Sequence, residues 1–289
     1  MGTNSKIEWC DHTFNPWIGC QKVSAGCRFC YAERDMGRKP RWANCWGPAE
    51  TTERLKTNDA YWKQPLGWQR EAEAAGKPAL VFCASLADVF EDNPQVNVWR
   101  IELFEDLVLN TPWLKWLILT KRPRRAAEFF RNRPSLLSGN IWLGTSVEDQ
   151  QRADERIPLL LDTPAAARFV SVEPMLGPVD FDFDSDVCHC GEYVSHHWEN
   201  HAVVPMTDSY LCSLDWVIIG CESGPRRRPM QIEWALDLVR QCKVAGVPVF
   251  VKQLDIDGRV SKDPDEWPEE LRVREYPGGG QWAIDHLTA

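Results

Sequence analysis

Three cysteines near the N-terminus, Cys20, Cys27 and Cys30, have the type and spacing for metal chemistry. Six residues separate the first two and two residues separate the second pair. Three thiolates this close in sequence can hold three irons of a [4Fe–4S] cluster and leave the fourth iron open to a small molecule. Gly19 and Gly26 precede the first two cysteines. They let the backbone curl around a cluster and aim amide N–H groups at its sulfurs, and such donors stabilise the reduced form. The competing use is a zinc site whose fourth ligand would be Cys10, His12 or Cys45. Structural zinc is commonly held by two Cys/His pairs, and no second C-x-x-C lies nearby.

The same residues carry a family resemblance. Radical S-adenosylmethionine (SAM) enzymes have C-x-x-x-C-x-aromatic-C in a loop after the first strand of a partial (β/α) barrel. The run Cys27-Arg-Phe29-Cys30-Tyr31 resembles the second half of that motif. The lead-in Asn15-Pro-Trp-Ile-Gly-Cys20 and the exit Cys30-Tyr-Ala32 resemble the branch containing spore photoproduct lyase. The first spacing departs from the motif, with six residues where the superfamily has three. Over most of its length the chain is also similar to a phage-associated family of unknown function. The marks are the same lead-in, Ser171-Val-Glu-Pro174, Asp215-Trp-Val-Ile-Ile-Gly-Cys-Glu-Ser-Gly224 and Val251-Lys-Gln253. The resemblance implies an enzyme whose [4Fe–4S] cluster, fed by an electron donor, cleaves SAM reductively to a 5′-deoxyadenosyl radical. It also implies Ser85, Thr120, Ser146, Glu148 and Ser171 as SAM contacts.

Elements that would position these groups are legible in the hydropathy pattern. Short, nearly continuous apolar runs at 79–83, 114–120, 141–145, 168–172, 216–220 and 247–251 predict strands buried on both faces of a parallel sheet. Amphipathic patterns at 96–109, 124–131, 150–161 and 232–245 predict the helices between them. This alternation predicts an α/β fold, a parallel sheet either open or closed into a barrel. With the resemblance it becomes a partial (β/α) barrel over residues 1–254 and a polar C-terminal extension over 255–289. Residues 31–78 do not read as a regular unit. All six predicted strands end in polar groups, where parallel α/β folds bind ligands. Some of these would be helix caps, and Ser146 is one candidate.

Two basic clusters sit at such ends, Lys121-Arg-Pro-Arg-Arg125 and Arg226-Arg-Arg228. The chain as a whole carries a net charge of −9, so phosphate binding must be local. Lys121, Arg226, Arg227 and Arg228 are accordingly expected to meet an anionic substrate, a nucleotide or nucleic acid. The insert 180–213 breaks the alternation and holds Cys188, Cys190, His201 and Cys212. These would form a small zinc knuckle, since a segment too short for its own core can be folded by a metal. The odd count of 11 cysteines in 289 residues argues against a secreted disulfide scaffold. No 18-residue apolar run or apolar leader is present, so a cytoplasmic protein without a membrane span is expected. The expected activity is modification or repair of a nucleic acid base or nucleotide. The alternative class is a non-catalytic, metal-stabilised protein that binds nucleic acid or a partner.

Overall fold

A computed structural model describes residues 5–181 and 214–278. The chain forms two compact units, Met1–Thr145 with Thr163–Ala166, and Ser146–Asp162 with Ala167–Ala289. The fold class is the expected one, a mostly parallel sheet with helices following its strands, of partial (β/α) barrel type.

In the first unit β1 (His12–Thr13) is followed by β2 (Trp17–Ile18), the cysteine segment with α1 (Tyr31–Met36), β3 (Leu55–Lys56), α2 (Asp59–Trp62) and α3 (Gln64–Ala75). Then come β4 (Ala79–Cys83), α4 (Pro94–Glu102), β5 (Leu114–Thr120), α5 (Pro123–Asn132) and β6 (Ile141–Ser146). β1, β4, β5 and β6 pair in that order and in parallel. β2 and β3 make a separate antiparallel pair. Residues 80–83 and every residue of β6 are buried, as continuous apolar strands require when both faces are covered. Beneath α4 and α5, Phe90, Phe104, Phe129 and Phe130 pack as tilted and edge-on rings 5.3–6.3 Å apart. Such geometry puts the positive ring edge on a negative face. A single helix is expected over 96–109; the structure instead starts α4 at Pro94 behind the Asn93 cap and gives Leu103–Val108 π-helical turns.

In the second unit α6 (Gln150–Leu161) and α7 (Ile232–Ala245) accompany β7 (Ala167–Val172), β8 (Trp216–Gly220), β9 (Val249–Ile256) and β10 (Arg259–Ser261). β7, β8 and β9 are parallel, and β10 returns antiparallel on β9. The α6 cap is Asp149, whose carboxylate accepts the Arg152 amide at 3.0 Å, and not Ser146. β9 runs through Asp255, and Trp267, Leu271 and Tyr276 beyond it are buried. Arg274 pairs with Phe250 in an isolated bridge, so described residues of the polar tail are stitched to the core. Among the described residues no helix is long and apolar enough to cross a membrane.

The phenylalanine cluster makes a direct test of this packing. Phe130 is 1% exposed and meets the rings of Phe90, Phe104 and Phe129. Phe130→Ala is expected to lower stability by about 3–5 kcal/mol in chemical denaturation.

Candidate metal centre

The cysteine segment begins where β1 ends. Asn15 sits at the turn, and its side-chain oxygen accepts the Leu86 amide at 2.8 Å while its amide group bonds Ser85 Oγ at 3.1 Å. Gly19 donates its N–H to Leu86 O at 3.1 Å. Its φ is +111°, and an added Cβ would lie 2.2 Å from Cys45 O. Only glycine fits a left-handed position against a carbonyl this close. The chain then reaches Cys20, turns through a short 3-10 helix over Ala25–Cys27, and enters α1 just after Cys30. Tyr31 Oη donates to Ser85 O at 2.9 Å and ties the start of α1 to the end of β4.

Of the eight described cysteines, all free, five are buried and three are not. The three are Cys20, Cys27 and Cys30. Arg122 Nη1 donates to Cys20 Sγ at 3.7 Å. Cys27 Sγ lies 4.0 Å from Ser24 Oγ. Cys30 packs against the small apolar cluster of Ile18, Ala32 and Leu86. Burial pushes the Cys20 thiol up to about 12, with the nearby Arg122 charge opposing it. Burial likewise raises Cys30, and hydrogen bonds from the first turn of α1 pull the other way. Metal binding would therefore displace protons, because the thiolate is the ligand. Among the described residues no three His, Cys, Asp or Glu side chains converge on a point that could hold a single metal ion. A cluster would ask for a different geometry, with each thiolate on its own iron and the sulfurs further apart than round one ion.

Two ion pairs, one partly buried and one fully buried, brace Cys20. Arg122 binds Asp88 at 2.8 Å and gives its other amino group to Gln21 O at 2.7 Å. Burial alone would raise Asp88, but Arg122, Thr120 Oγ1 at 2.6 Å and the Lys121 and Phe90 amides hold it below the usual carboxylate range. On the other side Glu91 accepts the Gln21 amide at 2.8 Å. Arg54 meets Glu91 through two bonds of 2.6 and 2.8 Å, with both side chains fully buried. Arg54 also donates to Cys45 O and Gly47 O, and the Gly47 amide donates to Cys20 O. Gln21, next to Cys20, and Cys45 and Gly47, from the stretch that pairs with it, are thus fixed by charge-assisted bonds, roughly twice as strong as neutral ones.

The remaining expected residues divide between the units. In the first, Ser85 Oγ is bonded to Asn15, Thr120 is buried on Asp88, and Lys121 lies beside them. In the second, Ser146, Glu148 and Ser171 are buried, and Glu148 pairs with Arg156 at 2.9 Å. Arg156 also donates to Ser146 O at 2.7 Å. Glu173 pairs with Lys252 at 2.5 Å. Arg228 makes a two-pronged bond to Glu222, Arg227 stands 3.7 Å from Asp255, and Arg226 is exposed. Cys188, Cys190, His201 and Cys212 lie outside the described residues. Sequence reasoning missed Asn15, Arg54, Glu91 and Arg156. An isolated Arg or Glu gives no sign of burial, though Asn15 opens the Asn-Pro-Trp-Ile-Gly-Cys run.

Solved structures of spore photoproduct lyase show a limited likeness. A mutant with bound AdoMet and dinucleoside spore photoproduct is 13% identical with a TM-score of 0.42, covering 60% of this chain and 48% of that one. The lyase complexed with dinucleoside spore photoproduct is 11% identical with a TM-score of 0.42, covering 76% and 58%. The chain thus spans about half the length of those proteins. No curated protein matches the sequence. The model of the family described as "Protein of unknown function (DUF5131)" matches residues 4–270, and the chain belongs to that family.

Proposed function

We propose that the chain is a radical SAM-type enzyme that holds a [4Fe–4S] cluster on Cys20, Cys27 and Cys30 and modifies or repairs a nucleic acid base or nucleotide. The observation that carries this reading is that these three cysteines, at ligand spacing, are partly exposed while the other described cysteines are buried. Full burial is the ordinary fate of a structural cysteine, and three partly exposed ones at ligand spacing are the exception. When bound, the cluster would supply the electron that splits SAM, and a soluble donor would have to replace it.

The chain's own residues have definable tasks. Arg122 places a fixed cation at Cys20 Sγ, where it offsets thiolate charge. Asp88 holds that guanidinium in place, and Thr120 holds Asp88. Glu91 fixes Gln21, next to Cys20, and Arg54 fixes Cys45 and Gly47, the latter donating its amide to Cys20 O, so the ligand is set before metal arrives. Ser85 and Thr120 in one unit, and Ser146, Glu148 and Ser171 in the other, remain the SAM contacts this reading assigns. Lys121, Arg226, Arg227 and Arg228 are assigned to substrate phosphate. Arg228 would have to share or leave Glu222 to take that part.

Anaerobic reconstitution tests the ligand set. Cys20→Ser, Cys27→Ser and Cys30→Ser are each expected to lose most bound iron and the reductive cleavage of SAM, while Cys242→Ala keeps both. A colourless wild-type protein that binds zinc and leaves SAM intact would overturn the enzyme in favour of a binding protein.

The brace around Cys20 can be tested separately. Arg54→Met leaves Glu91 buried without its cation and is expected to cost about 3–5 kcal/mol in chemical denaturation. Arg54→Met combined with Glu91→Leu should regain most of that stability, because well-packed apolar pairs replace buried ion pairs at little cost. Iron content should stay low in both, since Gln21, Cys45 and Gly47 lose their anchors. Full iron in the double variant would show that the brace does not position the ligand.

A further inference from the structure

The segment that carries the cysteines is charged against the rest of the chain. Residues 21–46 hold six cations and two carboxylates in a protein of net charge −9. Both carboxylates are engaged: Lys22 pairs with Glu33 at 2.7 Å and Arg34 with Asp35 at 2.7 Å. Arg28, Arg38, Lys39 and Arg41 are exposed and form no ion pair among the described residues. Aromatic side chains alternate with them. Arg28 lies over the Phe29 ring at 5.2 Å and Lys39 over Trp42 at 4.8 Å. Tyr31 is 42% exposed although its hydroxyl is anchored on Ser85 O. Its ring is therefore presented to solvent in a fixed pose.

We propose that this basic and aromatic surface, Arg28 to Trp42, binds a single-stranded nucleic acid next to the cysteine centre. The inference rests on the nucleic-acid function proposed above and deepens it by naming the surface and the strand state. Cations outside internal ion pairs can take phosphates and release counterions. An exposed aromatic face, here that of Tyr31, stacks on bases, which a single strand offers and a duplex hides. An acidic protein would also answer the charge, but it gives no reason for rings between the cations. Of the clusters elsewhere, the strand-end groups of the second unit are mostly paired with one another, as in Glu148–Arg156, Glu173–Lys252 and Glu222–Arg228.

The test uses the full, iron-loaded chain with a fluorescent 12-nucleotide oligothymidylate and a duplex of the same length. Wild-type protein is expected to prefer the single strand. The quadruple variant Arg28→Ala, Arg38→Ala, Lys39→Ala, Arg41→Ala should bind it at least tenfold more weakly. Its slope of log affinity against log salt should be shallower by about 0.7 for each phosphate that is no longer neutralised. Tyr31→Leu should weaken binding about fivefold or more and leave the slope unchanged, as removal of a stacking ring predicts. Preference for the duplex, or equal affinity and slope in the quadruple variant, would overturn the proposal. So would variants that bind the oligonucleotide normally but lose an acidic flavodoxin-type donor. Iron content and SAM cleavage are measured on the same samples. Oligonucleotide binding through these residues without iron would sink the cluster and spare this surface; iron and SAM cleavage without oligonucleotide binding would do the reverse.

Discussion

The buried pair of Arg54 and Glu91 organises the cysteine segment. Taking two charges out of water is expensive, and the cost is recovered only when every donor and acceptor is used. Here the guanidinium serves Glu91, Thr52, Cys45 and Gly47, while the carboxylate serves Arg54 and the Gln21 amide. A residue between β2 and α1 and a stretch before β3 are thereby tied to the segment that follows β4. Those stretches have little regular structure of their own. Without the pair, the Gln21 amide and the Cys45 and Gly47 carbonyls would lose these partners.

A second pair, Arg122 with Asp88, works from the end of β5. It differs in purpose from the first, because one of its nitrogens also reaches a sulfur. The first unit therefore commits one buried cation to backbone and a second, partly buried one to both backbone and a thiol. In the second unit the strand ends carry Glu148, Glu173 and Glu222, each met by its own Arg or Lys. Parallel strands gather helix termini and polar loops at that edge, and charges placed there are tolerated when paired.

Much of this was legible in the sequence. The apolar runs at 79–83, 114–120 and 216–220 and the helices at 150–161 and 232–245 coincide with the elements, because strands covered on both faces and long amphipathic helices write strong periodic signals. The two-residue strands β1, β2 and β3 were not legible. Two residues have no period, and these strands exist only because β4 or each other supply partners. The start of α4 was missed by two residues, although Asn93-Pro94 is a cap followed by a first-turn proline. At the centre, the thiols and the Lys121–Arg125 run could be read directly. Arg54 and Glu91 could not, since they stand 37 positions apart and only the folded chain brings them together.

Gly19 shows what this arrangement demands of sequence drift. The neighbouring positions contribute side chains that packing can adjust, and charge at Lys22 or Glu33 can change in solvent. At position 19 the obstacle is the backbone oxygen of Cys45, 2.2 Å from where a first side-chain carbon would stand. That oxygen is itself held by Arg54. A methyl group there would have to push the Cys45 carbonyl off its guanidinium, so alanine at this site would act as a remote lesion of the ion pair. One added carbon at an uncharged position can thus undo a buried pair of charges.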